Sequence, residues 1–118
     1  MKNQPLIGVV GPCAAGKTTL VEFLKQQGIH ARHIAQEHSY VADMWKRISH
    51  PDILVFLDVS YPMTIHRRNL DWTTAEYDEQ IYRLRHAREN AHLYIQTDHL
   101  APGEVLDQVI NFLNHKAV

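Results

Sequence analysis

A chain of 118 residues and 13.7 kDa is long enough to bury one core and too short for two, so one domain spanning residues 1–118 is expected. A formal net charge of -1 and a pI near 6.7 exclude the basic excess of general nucleic-acid binders and membrane-surface proteins, and neither partner is expected. The single cysteine, Cys13, excludes an internal disulfide framework and a zinc site built on cysteines, which fits a reducing, cytoplasmic setting. No signal-peptide pattern is evident and no apolar run approaches the ~20 residues of a membrane span, so neither export nor anchoring is expected.

In chain order, the apolar run of residues 6–10 predicts a buried strand. Directly after it, Gly11-Pro12-Cys13-Ala14-Ala15-Gly16-Lys17-Thr18-Thr19 fits the phosphate-binding loop G-x-x-x-x-G-K-[ST] at every fixed position. Leu20, Val21, Phe23 and Leu24 then mark the core side of a helix, which completes the strand-loop-helix context. That context is chemically necessary. Backbone N–H groups must converge on phosphate oxygens, glycine allows the close approach, and a helix beginning near Lys17 turns its positive end to the anion. Residues 11–19 are therefore expected to cradle the phosphates of a nucleotide. Lys17, expected to face solvent, would bridge the β- and γ-phosphates, the Thr18 hydroxyl would ligate Mg²⁺, and Thr19 would be a secondary phosphate contact.

Gly28 stands where a helix C-cap belongs, and residues 29–35 form a second strand with weak alternation. Ser39 is expected to cap a helix with Val41, Met44, Trp45 and Ile48 on one face, closed by Pro51. Residues 53–59 are apolar throughout except for Asp58, the pattern of a parallel strand covered on both faces. Pro62 suits the first turn of a short helix with Met63, Ile65 and Leu70 that carries Arg67 and Arg68. Thr73-Thr74-Ala75-Glu76 matches a capping box and opens a helix to about residue 91, bearing Arg83, Arg85 and Arg88. Residues 93–97 give a last strand, and Pro102 opens a last helix with Leu106, Val109, Ile110 and Leu113 on its buried face. Alternating strands and helices imply an α/β class: a three-layer P-loop NTPase fold with a parallel sheet of about four strands.

Asp58 ends its strand as a metal-binding acid would, with helix capping or loop bracing as the alternative. Glu37 competes with it: if the second strand lies beside the first, Gln36 and Glu37 emerge at the carboxyl edge next to the loop. Thr18 and Asp58 are taken as the metal pair. Arginine forks suit the charge that phosphoryl transfer spreads over equatorial oxygens, so Arg67, Arg68, Arg85 and Arg88 are candidates for closing over the transferred group. Asp71, Glu76, Asp78 and Glu79 in the same stretch nearly balance that charge, so ion pairing on a solvated helix is the alternative. His30, His33 and His38 cluster near the second strand at spacings that match no familiar metal pattern. Trp45 and Tyr40 either line an acceptor pocket or pack, and the place of Trp45 in an apolar stripe favours the core.

These segments resemble the P-loop nucleoside and nucleotide kinases, including small-molecule kinases of the gluconate kinase type. Beyond the loop, Phe56-Leu57-Asp58-Val59-Ser60 followed by Arg67-Arg68 is similar to that family's strand and arginine-bearing lid. Residues 91–98 with Pro102-Gly103-Glu104-Val105 are similar to its last strand and closing helix, whose connection lines the adenine pocket. The family usually places an extra strand and one or two helices between the second strand and the lid strand, forming the acceptor pocket; only residues 36–51 fill that interval here, as in a pared-down member. The resemblance implies an ATP- and Mg²⁺-dependent phosphotransferase for a small-molecule acceptor, with Lys17, Glu37 or Asp58, and the arginines as its catalytic groups. The alternatives are a nucleotide-binding module or slow NTPase without an acceptor, and a partner-binding protein whose loop holds only an inorganic anion. No N-K-x-D-like segment supports guanine specificity.

Overall fold

The structure is a computed structural model and describes residues 4–116. Strands β1 (Ile7–Val10), β2 (Ala31–His33), β3 (Ile53–Asp58) and β4 (Leu93–Gln96) form a parallel sheet in the order β2-β1-β3-β4. Helices α1 (Lys17–Gln26), α2 (Met44–Ser49), α3 (Tyr61–Arg68), α4 (Thr74–Arg83), α5 (Arg85–Glu89) and α6 (Pro102–Lys116) connect or follow the strands, and a 3-10 turn, Gln36–His38, succeeds β2.

Strand alternation divides the core. Ile7, Val9, Val55, Leu57 and Ile95 point to one face, where Leu20, Val21 and Leu24 of α1 and Val105 and Val109 of α6 cover them. Val10, Leu54 and Phe56 point to the other, against Ile34, Trp45 of α2, and Leu84 and Ala87 around α5. β3 supplies residues to both clusters, as expected of an apolar run with no polar alternation. The architecture is thus the three-layer α/β arrangement with four parallel strands that the sequence implies.

The short elements differ from their sequence readings for local reasons. Ser39 does not cap α2: its Oγ accepts from Val41 N at 3.1 Å, closing a tight turn, and the helix starts only at Met44. Val41 and Ile48 are 49% and 63% exposed, so of the four-residue stripe only Trp45 is buried in the core. The helix read over residues 73–91 is two helices. Leu84 N donates to both Gln80 O (3.0 Å) and Ile81 O (3.2 Å), a tightened turn that swings Leu84 and Ala87 into the core and leaves α4 aimed at the phosphate loop. The capping box at its start is complete, with Thr73 and Glu76 each accepting from the other's backbone N–H. α3 starts as read, with the Ser60 hydroxyl accepting from Met63 N, but stops at Arg68 before Leu70.

What places the site is the side-by-side pairing of β2 with β1. Ala31, Arg32 and His33 lie opposite Ile7, Gly8 and Val9, and Ile34 N donates to Val9 O at 3.0 Å, so the chain leaves β2 at the same sheet edge as the phosphate loop. Gln36 then fixes the turn. It is fully buried; its amide donates to Val41 O (2.9 Å) and Arg83 O (3.1 Å), while its carbonyl accepts from Trp45 N (2.8 Å). One side chain thereby ties the 3-10 turn to α2 and α4. Replacing it by the apolar isostere in Gln36→Leu removes the buried acceptor of Trp45 N and both amide ties, and the expected loss in urea-unfolding free energy is about 1–3 kcal/mol.

Candidate active site

The loop between β1 and α1 is shaped by two backbone demands. A Cβ on Gly11, where φ is +154°, would lie 2.0 Å from Leu57 O of the neighbouring strand, so nothing larger than glycine passes there. Gly16 enters the helix at φ +95°, and Ala14 also lies in left-handed space at φ +69°, a run of turns that gathers N–H groups into a concave nest.

Lys17 does not face solvent as its place in the motif suggests. It is 7% exposed, and its ammonium donates to Gly11 O (2.6 Å) and Pro12 O (2.9 Å) and pairs with Glu37 Oε2 at 3.0 Å. The flexible four-carbon stem of lysine lets its ammonium fold back on acceptor carbonyls when a buried carboxylate satisfies its third donor. Glu37 is 3% exposed, and its other oxygen, Oε1, is the one buried side-chain polar atom among the described residues without a partner. His38 Nε2 lies 3.7 Å from the same carboxylate.

These groups share a cavity of about 480 Å³ with Thr18, Thr19, His33 and Arg68. His33, at the end of β2, is held below the ordinary histidine value by burial and then by the Lys17 charge, with Glu37 acting in the opposite sense. A second cavity, about 280 Å³, lies on the far side of the loop between Ala15, Thr19, Arg67, Thr97, Leu100 and Pro102. Arg67 spans its wall: the guanidinium donates to Ala14 O (3.1 Å), to Thr97 Oγ1 (3.0 Å) and to Thr97 O, and so pins the loop to the chain after β4.

The structure separates the remaining sequence candidates. Asp58 lies outside both cavities' linings; its Oδ1 accepts from Val59 N (2.9 Å) and its Oδ2 from the Tyr94 hydroxyl across the β3–β4 pair. Burial first, and the hydrogen bond to Asp58 second, push the Tyr94 phenol up to about 12. Arg85 stacks over Tyr82 (3.9 Å to the ring centre) and Arg88 over Tyr94 (4.9 Å). Arg83 pairs with Glu79 at 3.0 Å. Tyr40 is 87% exposed, beneath Arg83. Thus Lys17, Thr18, Glu37 and Arg68 come together, Arg67 borders the second cavity, and Asp58, Arg85 and Arg88 stand apart.

Gln80 is a site residue that the sequence did not disclose. From α4 it accepts from Cys13 N (3.0 Å) through Oε1 and donates to Cys13 Sγ (3.1 Å) through Nε2, bracing the loop. Its position one turn before Leu84 was the available signal, and only the break at Leu84 gives it meaning. Thr97 was read as strand; it is the anchor of Arg67.

No family model matches the chain, and no curated protein matches it by sequence. Among solved structures, the crystal structure of shikimate kinase from Aquifex aeolicus is similar over 95% of this chain and 98% of that one, with a TM-score of 0.60 and 14% sequence identity. That similarity is one of fold: the two chains share the same α/β architecture.

Two outcomes follow from the buried pair and its neighbour. Lys17→Met strands a buried carboxylate and is expected to lower stability by about 3–5 kcal/mol, while adding Glu37→Gln recovers most of it; urea unfolding of the two variants measures this. A histidine whose folded value is depressed stays neutral in the folded state and binds its proton more readily when unfolded. Its contribution is therefore intact above the ordinary value of 6.5 and is lost as pH falls below it. The unfolding midpoint is expected to drop across that window in the wild type and to drop less in His33→Gln.

Proposed function

We propose that the chain is an ATP-dependent phosphotransferase acting on a small hydroxylated or phosphorylated acceptor, a single cytoplasmic domain with no nucleic-acid or membrane partner. The observation that carries the reading is the buried carboxylate of Glu37, 3.0 Å from Lys17 Nζ, in a cavity that Thr18 and Arg68 also line. A phosphate loop alone accounts for nucleotide binding. An acid held at the loop's mouth beside an arginine adds what transfer to an acceptor requires.

The parts divide as follows. The nest of residues 11–19 takes the phosphates, and Lys17 exchanges Gly11 O and Pro12 O for phosphate oxygens. The cavity beside Arg67 and Thr97 takes the base; like the adenine pocket of the family it resembles, it lies between the last strand and the closing helix. The acceptor enters beside Glu37, His33 and Arg68. Its hydroxyl oxygen attacks the γ-phosphorus, the bridging P–O bond breaks with its electrons going to ADP, and the hydroxyl proton passes to Glu37 and on to solvent. The donor set suits Mg²⁺, since Thr18 and Glu37 line one cavity and Oε1 of the Glu37 carboxylate is buried without a partner. When bound there, the cation neutralises charge building on the β- and γ-phosphate oxygens. Glu37 takes the metal-facing role in this reading. Asp58 acts as a brace of β3 against β4, and Arg67 and Arg68 act as the closing arginines in preference to Arg85 and Arg88, which lie on aromatic faces.

A nucleotide-binding module or slow NTPase without an acceptor is favoured by one feature: the connection from β2 to β3 holds only a 3-10 turn and the six-residue α2. ATP turnover with a panel of nucleosides, sugars and sugar acids decides between them. The proposal expects at least one acceptor to raise ADP release tenfold or more with a matching phosphorylated product. Turnover that no acceptor changes supports the module, and no ATP binding at all rejects both.

A further inference from the structure

The face of the phosphate loop toward β2 carries two donors that the phosphotransferase reading leaves unused, Cys13 and His38, beside the Glu37 carboxylate. Cys13 Sγ, a Glu37 carboxylate oxygen and a His38 ring nitrogen lie within 4.8 Å of one another. They come from two places in the chain, the loop and the 3-10 turn, brought together because β2 lies beside β1. A second observation bears on the same carboxylate: Oε2 lies 3.7 Å from His38 Nε2 and is paired with Lys17, while Oε1 is buried without a partner. A desolvated carboxylate oxygen with no donor is costly, and a cation relieves it. Gln80 adds an N–H aimed at the Cys13 sulfur at 3.1 Å, the kind of outer contact that orients a metal-bound thiolate.

We propose that Cys13, Glu37 and His38 form a three-ligand site for a thiophilic divalent cation such as Zn²⁺, with its fourth position open to the cavity beside the phosphate loop. This goes beyond the phosphotransferase reading and is tested without nucleotide. Sulfur, imidazole nitrogen and carboxylate oxygen suit zinc and cobalt and do not suit Mg²⁺, which takes oxygen donors. Tetrahedral zinc needs its donors about 3.3–3.7 Å apart, so the present spread must contract by roughly 1 Å. His38 can supply that movement, because its side chain is 61% exposed and free to change rotamer. Binding displaces the thiol proton of Cys13 to solvent and leaves the carboxylate and the neutral imidazole as they are. The occupied site ties the loop to the turn after β2, so the metal stabilises the folded chain in proportion to its occupancy.

Titration of Co²⁺ into the tag-free, nucleotide-free protein, followed by absorption, is the experiment. The expected result is one equivalent of Co²⁺ bound with a sulfur-to-cobalt charge-transfer band and the visible bands of tetrahedral cobalt, both bleached by Zn²⁺. Cys13→Ser abolishes the charge-transfer band, and His38→Gln weakens Co²⁺ binding at least tenfold, while His30→Gln changes neither. Because His38 is exposed, its variant folds as the wild type does, which circular dichroism verifies, so a loss there is a loss of ligation. Absence of the sulfur band in the wild type overturns the proposal, as does unchanged Co²⁺ affinity in His38→Gln.

Discussion

The contact on which the site depends is the buried pair of Lys17 and Glu37. An ion pair in a desolvated pocket contributes little net stability, because removing two charges from water costs about what their attraction returns. Its effect is on position. Glu37 holds the ammonium against the carbonyls of Gly11 and Pro12, and Lys17 holds the 3-10 turn against the loop. Neither group can leave alone without stranding the other, so an anion entering the loop and taking Lys17 must also change what Glu37 faces. A cation or an acceptor hydroxyl at Glu37 answers that demand, which couples the two halves of the cavity.

Two packing features hold the pair in place. β2 lies directly beside β1 and ends at His33, and the buried amide of Gln36 locks the following turn to α2 and α4. On the opposite side, Arg67 pins the loop to Thr97, and Gln80 braces it from α4. The loop is thus held from three sides while Thr18, Thr19 and Gly16 remain exposed at its mouth. Few residues separate β2 from β3, and the break at Leu84 turns Leu84 and Ala87 into the core on the face that α2 covers only with Trp45 and Met44.

The fold was legible where the sequence pattern was unambiguous. The phosphate loop, the apolar run of β3, the capping box before α4 and the proline-started α6 all stand within a residue or two of their sequence readings. Local hydrogen-bond competition defeated the pattern at residues 39–48, where Ser39 closes a turn and α2 shrinks to the residues after Asp43. Of the sequence candidates, Lys17, Thr18, Glu37 and Arg68 line one cavity and Arg67 another, while Arg85, Arg88 and Asp58 lie elsewhere. Whether Glu37 or Asp58 approached the loop turned on strand order, a long-range property that no local spacing encodes. Cys13 read as a loop residue, His38 as one of a histidine cluster with no metal spacing, and Glu37 as a candidate acid, and nothing in their spacing joined the three until the sheet brought them together.

The central claim is that the nest of residues 11–19, coupled through Lys17 to Glu37, is where a nucleoside triphosphate binds. Backbone amide resonances followed during titration with ATP·Mg²⁺ test it most directly. The account predicts saturable shifts that are largest at the amides of Cys13 to Thr19, with Glu37 moving along the same binding curve. Shifts confined to the arginines of α4 and α5 with residues 13–19 unmoved, or no shifts at saturating nucleotide, would contradict it.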